Sequence, residues 1–237
     1  MNHRSPHSHS SRSAFSIIEL LAVIAVVSII AGVSVPALSG LNRSGNANRA
    51  IIGVAGTLDL ARQYAVSRNT YTWVVLAANP SAVGGNSLYA TILGSRDGSN
   101  TIDGVTPIDL DIRATYRLDA AAANVEVLQR IVTFPNAMVA RLASSPAPAG
   151  LPPSAPNANV SFKFVASSAE AIAFLNANPD AQRVVQFTPT GQARVSGSIS
   201  QVVELGLKPM KGSTPDETNV AAIQISGFTG QTQVYRR

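Results

Sequence analysis

The side chains that most often carry catalysis are scarce in this chain of 237 residues. It contains no cysteine, which removes disulfides, thiolate metal sites, iron–sulfur clusters and cysteine nucleophiles together. The three histidines, His3, His7 and His9, all lie in the first ten residues. Beyond them no imidazole can serve as base, proton shuttle or ligand. Ser-His-Asp and Cys-His arrangements are therefore excluded downstream of the N-terminus. No spacing favours a Lys/Ser or paired-carboxylate mechanism. The glycines of 81–86 and 94–104 match no phosphate-cradling motif. No enzyme activity and no cofactor is expected.

Two groups of charged residues suggest binding. Asp97, Asp103, Asp109 and Asp111 offer hard oxygen ligands of the kind calcium takes. Their spacing fits no EF-hand loop, and Asp97-Gly98-Ser99-Asn100 reads as a turn. Asp109 and Asp111 alternate with Leu110 and Ile112, as the solvent face of a strand should. No metal site is expected. Arg194, Arg236 and Arg237 are candidate nucleic-acid contacts if the last strands pair and bring them together; solvated charge is the plainer reading. The net charge of +5 gives that idea little weight. Only 13% of residues are charged, against roughly 25% in an average domain. The basic balance thus reflects few acids, and no lysine/arginine run is present.

The remaining chemistry lies near the N-terminus. Residues 1–14 are polar, Ser/His-rich and mildly basic, and have no apolar periodicity. From Phe15 to Val35 the chain is apolar with one charge, Glu19. As a helix this stretch is about 31 Å long, matching a hydrocarbon core of about 30 Å. A carboxylate in hydrocarbon costs about 2.5–3.5 kcal/mol unless partnered. A secretory signal peptide cut after Ala37 and a plain membrane anchor both leave Glu19 unexplained.

Ala14-Phe15-Ser16-Ile17-Ile18-Glu19-Leu20-Leu21, with the apolar run and Pro36 behind it, resembles the processing site of type IV prepilins and type II secretion pseudopilins. The resemblance implies cleavage between Ala14 and Phe15 by a prepilin peptidase, and N-methylation of Phe15. Alanine stands at position 14 where that family usually has glycine. Cleavage there would leave an amine one helical turn from Glu19. The amine of one subunit could then pair with Glu19 of a neighbour, neutralising two charges in an apolar setting and setting the assembly register. Pro36 stands at the expected helix kink. Leu60–Asn69, Val185–Gly191 and the terminal Ile223–Val234 strand pair are similar to the minor pseudopilin H and the FimT-type minor pilins. That group includes DNA-uptake receptors, which is the alternative function within the resemblance. The alternative outside it is an exported β-rich binding protein whose signal peptide ends at Ala37.

The elements that would position these residues follow from periodicity. Residues 37–50 are rich in Gly and Asn, each Gly costing about 1 kcal/mol in a helix, so the helix should loosen there. A second helical pattern covers 46–67, with Ile51, Ala55, Leu58, Ala61 and Ala65 on one face. Short strands are expected at 70–77, 87–93, 108–118, 127–134, 160–165, 183–188, 192–196, 199–205, 219–226 and 231–236. Hairpin tips are expected at Pro189-Thr190-Gly191 and Thr229-Gly230. Ser167–Glu170 reads as a capping box before a short helix. Residues 144–159 hold five prolines and read as a surface loop or linker.

The expected fold class is therefore α+β: a long N-terminal helix, membrane-spanning in its first half and amphipathic in its second, packed on an antiparallel sheet. The expected division is a leader at 1–14, removed on processing, a hydrophobic transmembrane and assembly helix at 15–41, and a head at 42–237. By the resemblance the mature chain would sit in the inner membrane, single-pass, with its head in the periplasm, and enter a periplasmic or surface filament. The implied partners are prepilin peptidase, other pilin or pseudopilin subunits, an inner-membrane assembly platform, the lipid bilayer and, in the DNA-uptake alternative, nucleic acid.

Overall fold

The computed structural model describes residues 16–80, 86–102, 106–107, 114–118, 124–148, 153–156, 160–164, 170–178, 182–212 and 214–237. The chain divides into two compact units, Met1–Asn42 and Arg43–Arg237. Helix α1 occupies Ile17–Arg68. It does not loosen at 37–50 as the Gly and Asn content suggests. In the second unit the cost of those residues is offset by packing, since Ala47 and Ala50 are both buried. The helix ends on Asn69, which takes the left-handed conformation (φ 51°). The Thr70 N–H then donates to the Ala65 carbonyl at 2.9 Å, closing the last turn in a Schellman-type cap.

The second unit is built from strands β1 (Thr72–Asn79), β2 (Ser87–Ser95), β3 (Thr101–Ile102), β4 (Thr106–Pro107), β5 (Ala114–Leu118), β6 (Val125–Pro135), β7 (Ala137–Val139) and β8 (Val160–Phe164). A short helix α2 (Glu170–Ala177) follows. The chain closes with β9 (Gln182–Phe187), β10 (Ala193–Arg194), β11 (Val202–Lys211), β12 (Thr214–Pro215), β13 (Ala221–Ser226) and β14 (Thr232–Arg236). One sheet has the order β10-β9-β1-β2-β6, and a second has β12-β11-β13-β14 with β7 also paired to β11. Neighbours in both sheets are antiparallel, whereas β5 and β8 form a separate parallel pair.

The first sheet is covered on both faces, which is why β2 is buried along its whole length. On one face Val74, Leu76, Ile92, Val185 and Phe187 share a core with Val54, Leu58, Ala61 and Ala65 of α1. That same core takes in Val203, Leu205, Ile223 and Ile225 of the second sheet. On the other face Trp73, Val75, Leu93 and Val184 pack with Phe162 and Phe164 of β8 and Leu175 of α2. Near-continuous apolar strands are what two-sided burial requires.

The expected fold plan is corrected in both halves. Among the described residues no helix is long and apolar enough to cross a membrane. Helix α1 draws its apolar start from the first unit and its later part from the second. The later part does not lie on a single antiparallel sheet; it enters a core that two sheets share. The transmembrane helix, and with it the single-pass inner-membrane placement with a periplasmic head, is withdrawn on this finding.

Smaller differences have local causes. Strand β7 was not expected and is three residues long, held by pairing with Leu207–Pro209 of β11. The proline-rich stretch is not a free linker throughout. Ser154 bridges Val203 in parallel, with Ser154 N–H donating to the Val202 carbonyl at 2.8 Å and Glu204 N–H donating to the Ser154 carbonyl at 2.9 Å. Residues 167–169 of the expected capping box and 108–113 of an expected strand lie outside the described residues.

Candidate functional site

In the first unit, Ser16 stands just before the first residue of α1. Its carbonyl accepts from the Glu19 and Leu20 N–H groups at 3.0 and 3.2 Å. Ser16 is thus the N-cap and Glu19 the third helical residue, where a carboxylate faces the unsatisfied N–H groups and the positive end of the helix. The spacing Ser16-x-x-Glu19 is itself a capping signal, and sequence reasoning passed over it in favour of the pairing role. Glu19 is exposed. Around it Ile17, Ile18, Leu20, Leu21, Val23, Ile24, Val26, Val27, Ile29 and Ile30 are also exposed, Ile17 to 80% and Ile30 to 60%. Such a helix is apolar on every side, a character found where helices are enclosed by other apolar matter. Ala14 and Phe15, the expected cleavage and methylation residues, lie outside the described residues. Pro36, the expected kink, falls inside the span of α1.

The three candidate arginines are not presented as one basic surface. Arg194 lies in β10 of the first sheet, and Arg236 ends β14 of the second. Arg194 donates from Nε to Gln186 Oε1 at 2.6 Å, with its guanidinium carbon 5.9 Å from the centre of the Tyr71 ring. Arg236 donates from Nε and Nη2 to Asn219 Oδ1 at 3.3 and 3.0 Å, and from Nη1 to Asn48 Oδ1. Arg237 Nη1 donates to Ser144 Oγ at 3.1 Å. Each side chain is committed to intramolecular acceptors on a different part of the fold.

Asp97 behaves as the turn reading expects. Its Oδ1 accepts from Ser95 Oγ at 2.7 Å and from the Ser99 N–H at 3.0 Å, and its Oδ2 accepts from Asn124 Nδ2 at 2.9 Å. Partial desolvation pushes the Asp97 carboxyl up, but the donors Asn124, Ser95 and Ser99 outweigh it and hold the group well below the usual carboxylate range. Asp103, Asp109 and Asp111 lie outside the described residues, and among those described no three metal-ligating side chains stand together.

Two grooves mark the second unit. One of about 690 Å³ lies between the proline-rich stretch and β11, lined among others by Arg141, Ser145, Pro156 and Glu204. Glu204 is already engaged, accepting from Ser145 Oγ and Gln224 Nε2, both at 2.8 Å. The other, of about 510 Å³, sits at the end of α1, where Arg96 pairs with Glu126 at 3.7 Å and Tyr64 Oη donates to the same carboxylate at 3.4 Å.

Sequence reasoning also missed a buried polar row in the first sheet. Trp73 is opposite Gln186 in the β1–β9 register, and Gln186 is opposite Arg194 in the β9–β10 register. The signal available was Gln182 and Gln186, four residues apart and so on one face of a strand, with Val184 between them. No family model, curated protein or solved structure matches this chain, so membership of the pseudopilin family and a place in protein secretion find no support from relatives.

Proposed function

We propose that the chain is a structural subunit of a pilin-like filament, processed between Ala14 and Phe15, in which the apolar start of α1 packs against the same segment of neighbouring copies. The observation that carries this reading is the exposure of ten large apolar side chains around Glu19. Burying each such side chain is worth about 1.5–3 kcal/mol, so association is strongly favoured wherever copies meet. Glu19 then decides how they meet. A carboxylate enclosed without a partner is costly, and the amine of a processed neighbour neutralises it in one register only. The partners are thus a prepilin-type peptidase and other subunits of the same kind.

Mass spectrometry of the mature N-terminus tests the processing step. An N-methylated chain beginning at Phe15 is expected, and a chain beginning at Leu38 would instead favour the exported binding protein. Glu19→Ala is expected to leave cleavage intact and to reduce filament incorporation at least tenfold. Incorporation at the wild-type level would refute the role given to Glu19. No observation favours the DNA-binding alternative, because Arg194 lies in the first sheet while Arg236 ends the second, so the three arginines are not gathered on one strand pair.

A further inference from the structure

Two buried donors, opposite each other on β1 and β9, lack acceptors, and Arg194 stands beside the second of them on β10. Trp73 and Gln186 are fully buried, and neither the indole Nε1–H nor the Gln186 Nε2 amide has a hydrogen-bond partner. The orientation of the amide is set, because Gln186 Oε1 accepts from Arg194 Nε at 2.6 Å. Reversing it would bring two donors face to face. Residues directly opposite on one face of an antiparallel sheet have Cβ atoms about 4.5–5.5 Å apart, so the indole, the amide and the guanidinium are successive neighbours. Gln129 Oε1 also lacks a partner, but it stands on β6, beyond β2 in the sheet order. Leaving a buried donor unpaired costs about 1–3 kcal/mol. Two apolar residues would have filled these positions without that cost.

We propose that Trp73, Gln186 and Arg194 form a recognition site for a carboxylate. The row offers donors only, with one fixed positive charge at its half-buried end, where Arg194 lies over Tyr71. A planar anion with two oxygens can accept from the guanidinium on one side and from the amide or indole on the other. Arg194 belongs to a two-residue edge strand with a single neighbour, so the acceptor would enter on that side. The site is separate from the N-terminal segment, and it stands or falls apart from filament assembly.

Trp73 is the one tryptophan in the chain, so its indole N–H gives a single ¹⁵N–¹H resonance. The full chain is titrated with sodium acetate, with inorganic phosphate and with a short peptide bearing either a free or an amidated C-terminus. A saturable downfield shift of the indole proton with acetate or the free peptide is expected, and little shift with phosphate or the amidated peptide. Saturation at lower concentration with the free peptide identifies a partner chain as the source; equal concentrations identify a small acid. Gln186→Leu and Arg194→Met, which keep the bulk of the side chains, should weaken the response at least tenfold. Gln186→Leu should leave the fold at least as stable, since it removes an unpaired donor. An indole resonance unmoved by every carboxylate, one moved equally by phosphate, or a full response in both variants would overturn the proposal.

Discussion

At the scale of single residues, hydrogen-bond donors decide what the charged groups do. Asp97 is surrounded by Asn124, Ser95 and Ser99, and its lowered pKa is a statement about stability. A carboxylate whose folded value lies below its unfolded value of about 3.9 contributes stability that is complete above that value. The contribution is lost as pH falls toward the folded value. Asp97→Asn is therefore expected to lower the melting temperature at neutral pH and to flatten its decline between about pH 4 and pH 2. Melting curves of the two proteins that stay parallel down to pH 2 would count against this account. Asp216, whose Oδ1 accepts from the Thr218 hydroxyl and N–H at 2.6 and 2.9 Å, is also held below the usual range and shapes the same acid limb.

At the scale of elements, the two late hairpins are fastened together under α1. Gly191 and Gly230 have φ of 83° and 64°, a region that L side chains rarely adopt. A Cβ on Gly230 would lie 2.1 Å from the Gly191 carbonyl oxygen and 2.9 Å from Arg62 Cδ. Arg62 closes the arrangement by donating from Nε to the Thr229 carbonyl at 2.6 Å. Gly230→Ala should destabilise the protein by about 1–3 kcal/mol. Gly56, on the exposed side of α1 with nothing near its would-be Cβ, gives the opposite expectation: Gly56→Ala should stabilise by up to about 1 kcal/mol through helix propensity. Urea unfolding of the pair checks both signs, and a neutral Gly230→Ala would remove the steric argument.

At the scale of the whole molecule, one core ties the second unit together. Leu58 of α1 is fully buried among residues of both sheets, so neither sheet has an independent interior on that side. Leu58→Ala is expected to cost about 2–5 kcal/mol. It should lower the hydrogen-exchange protection of β1 and β13 amides by similar amounts. Protection lost in one sheet alone would show that the two open separately. The first unit follows a different rule, because the large apolar side chains of its helix are exposed.

Much of the local structure was legible in the chain. Alternation and β-branched content located β1, β2, β6, β9, β13 and β14 to within a few residues, and residue type located the tips at Gly191 and Gly230, because pleat periodicity and backbone sterics act over a few positions. Glu19 stood out as the lone charge in an apolar run. The tertiary structure alone decided that β9 inserts beside β1, that β7 pairs with β11, and that the first sheet is covered on both faces. It also decided that α1 persists through Gly- and Asn-rich sequence, and that a tryptophan and a glutamine share a buried row with Arg194. Each of those outcomes depends on which distant surfaces exclude water from one another. That free energy belongs to the assembled core, and no window of neighbouring residues contains it.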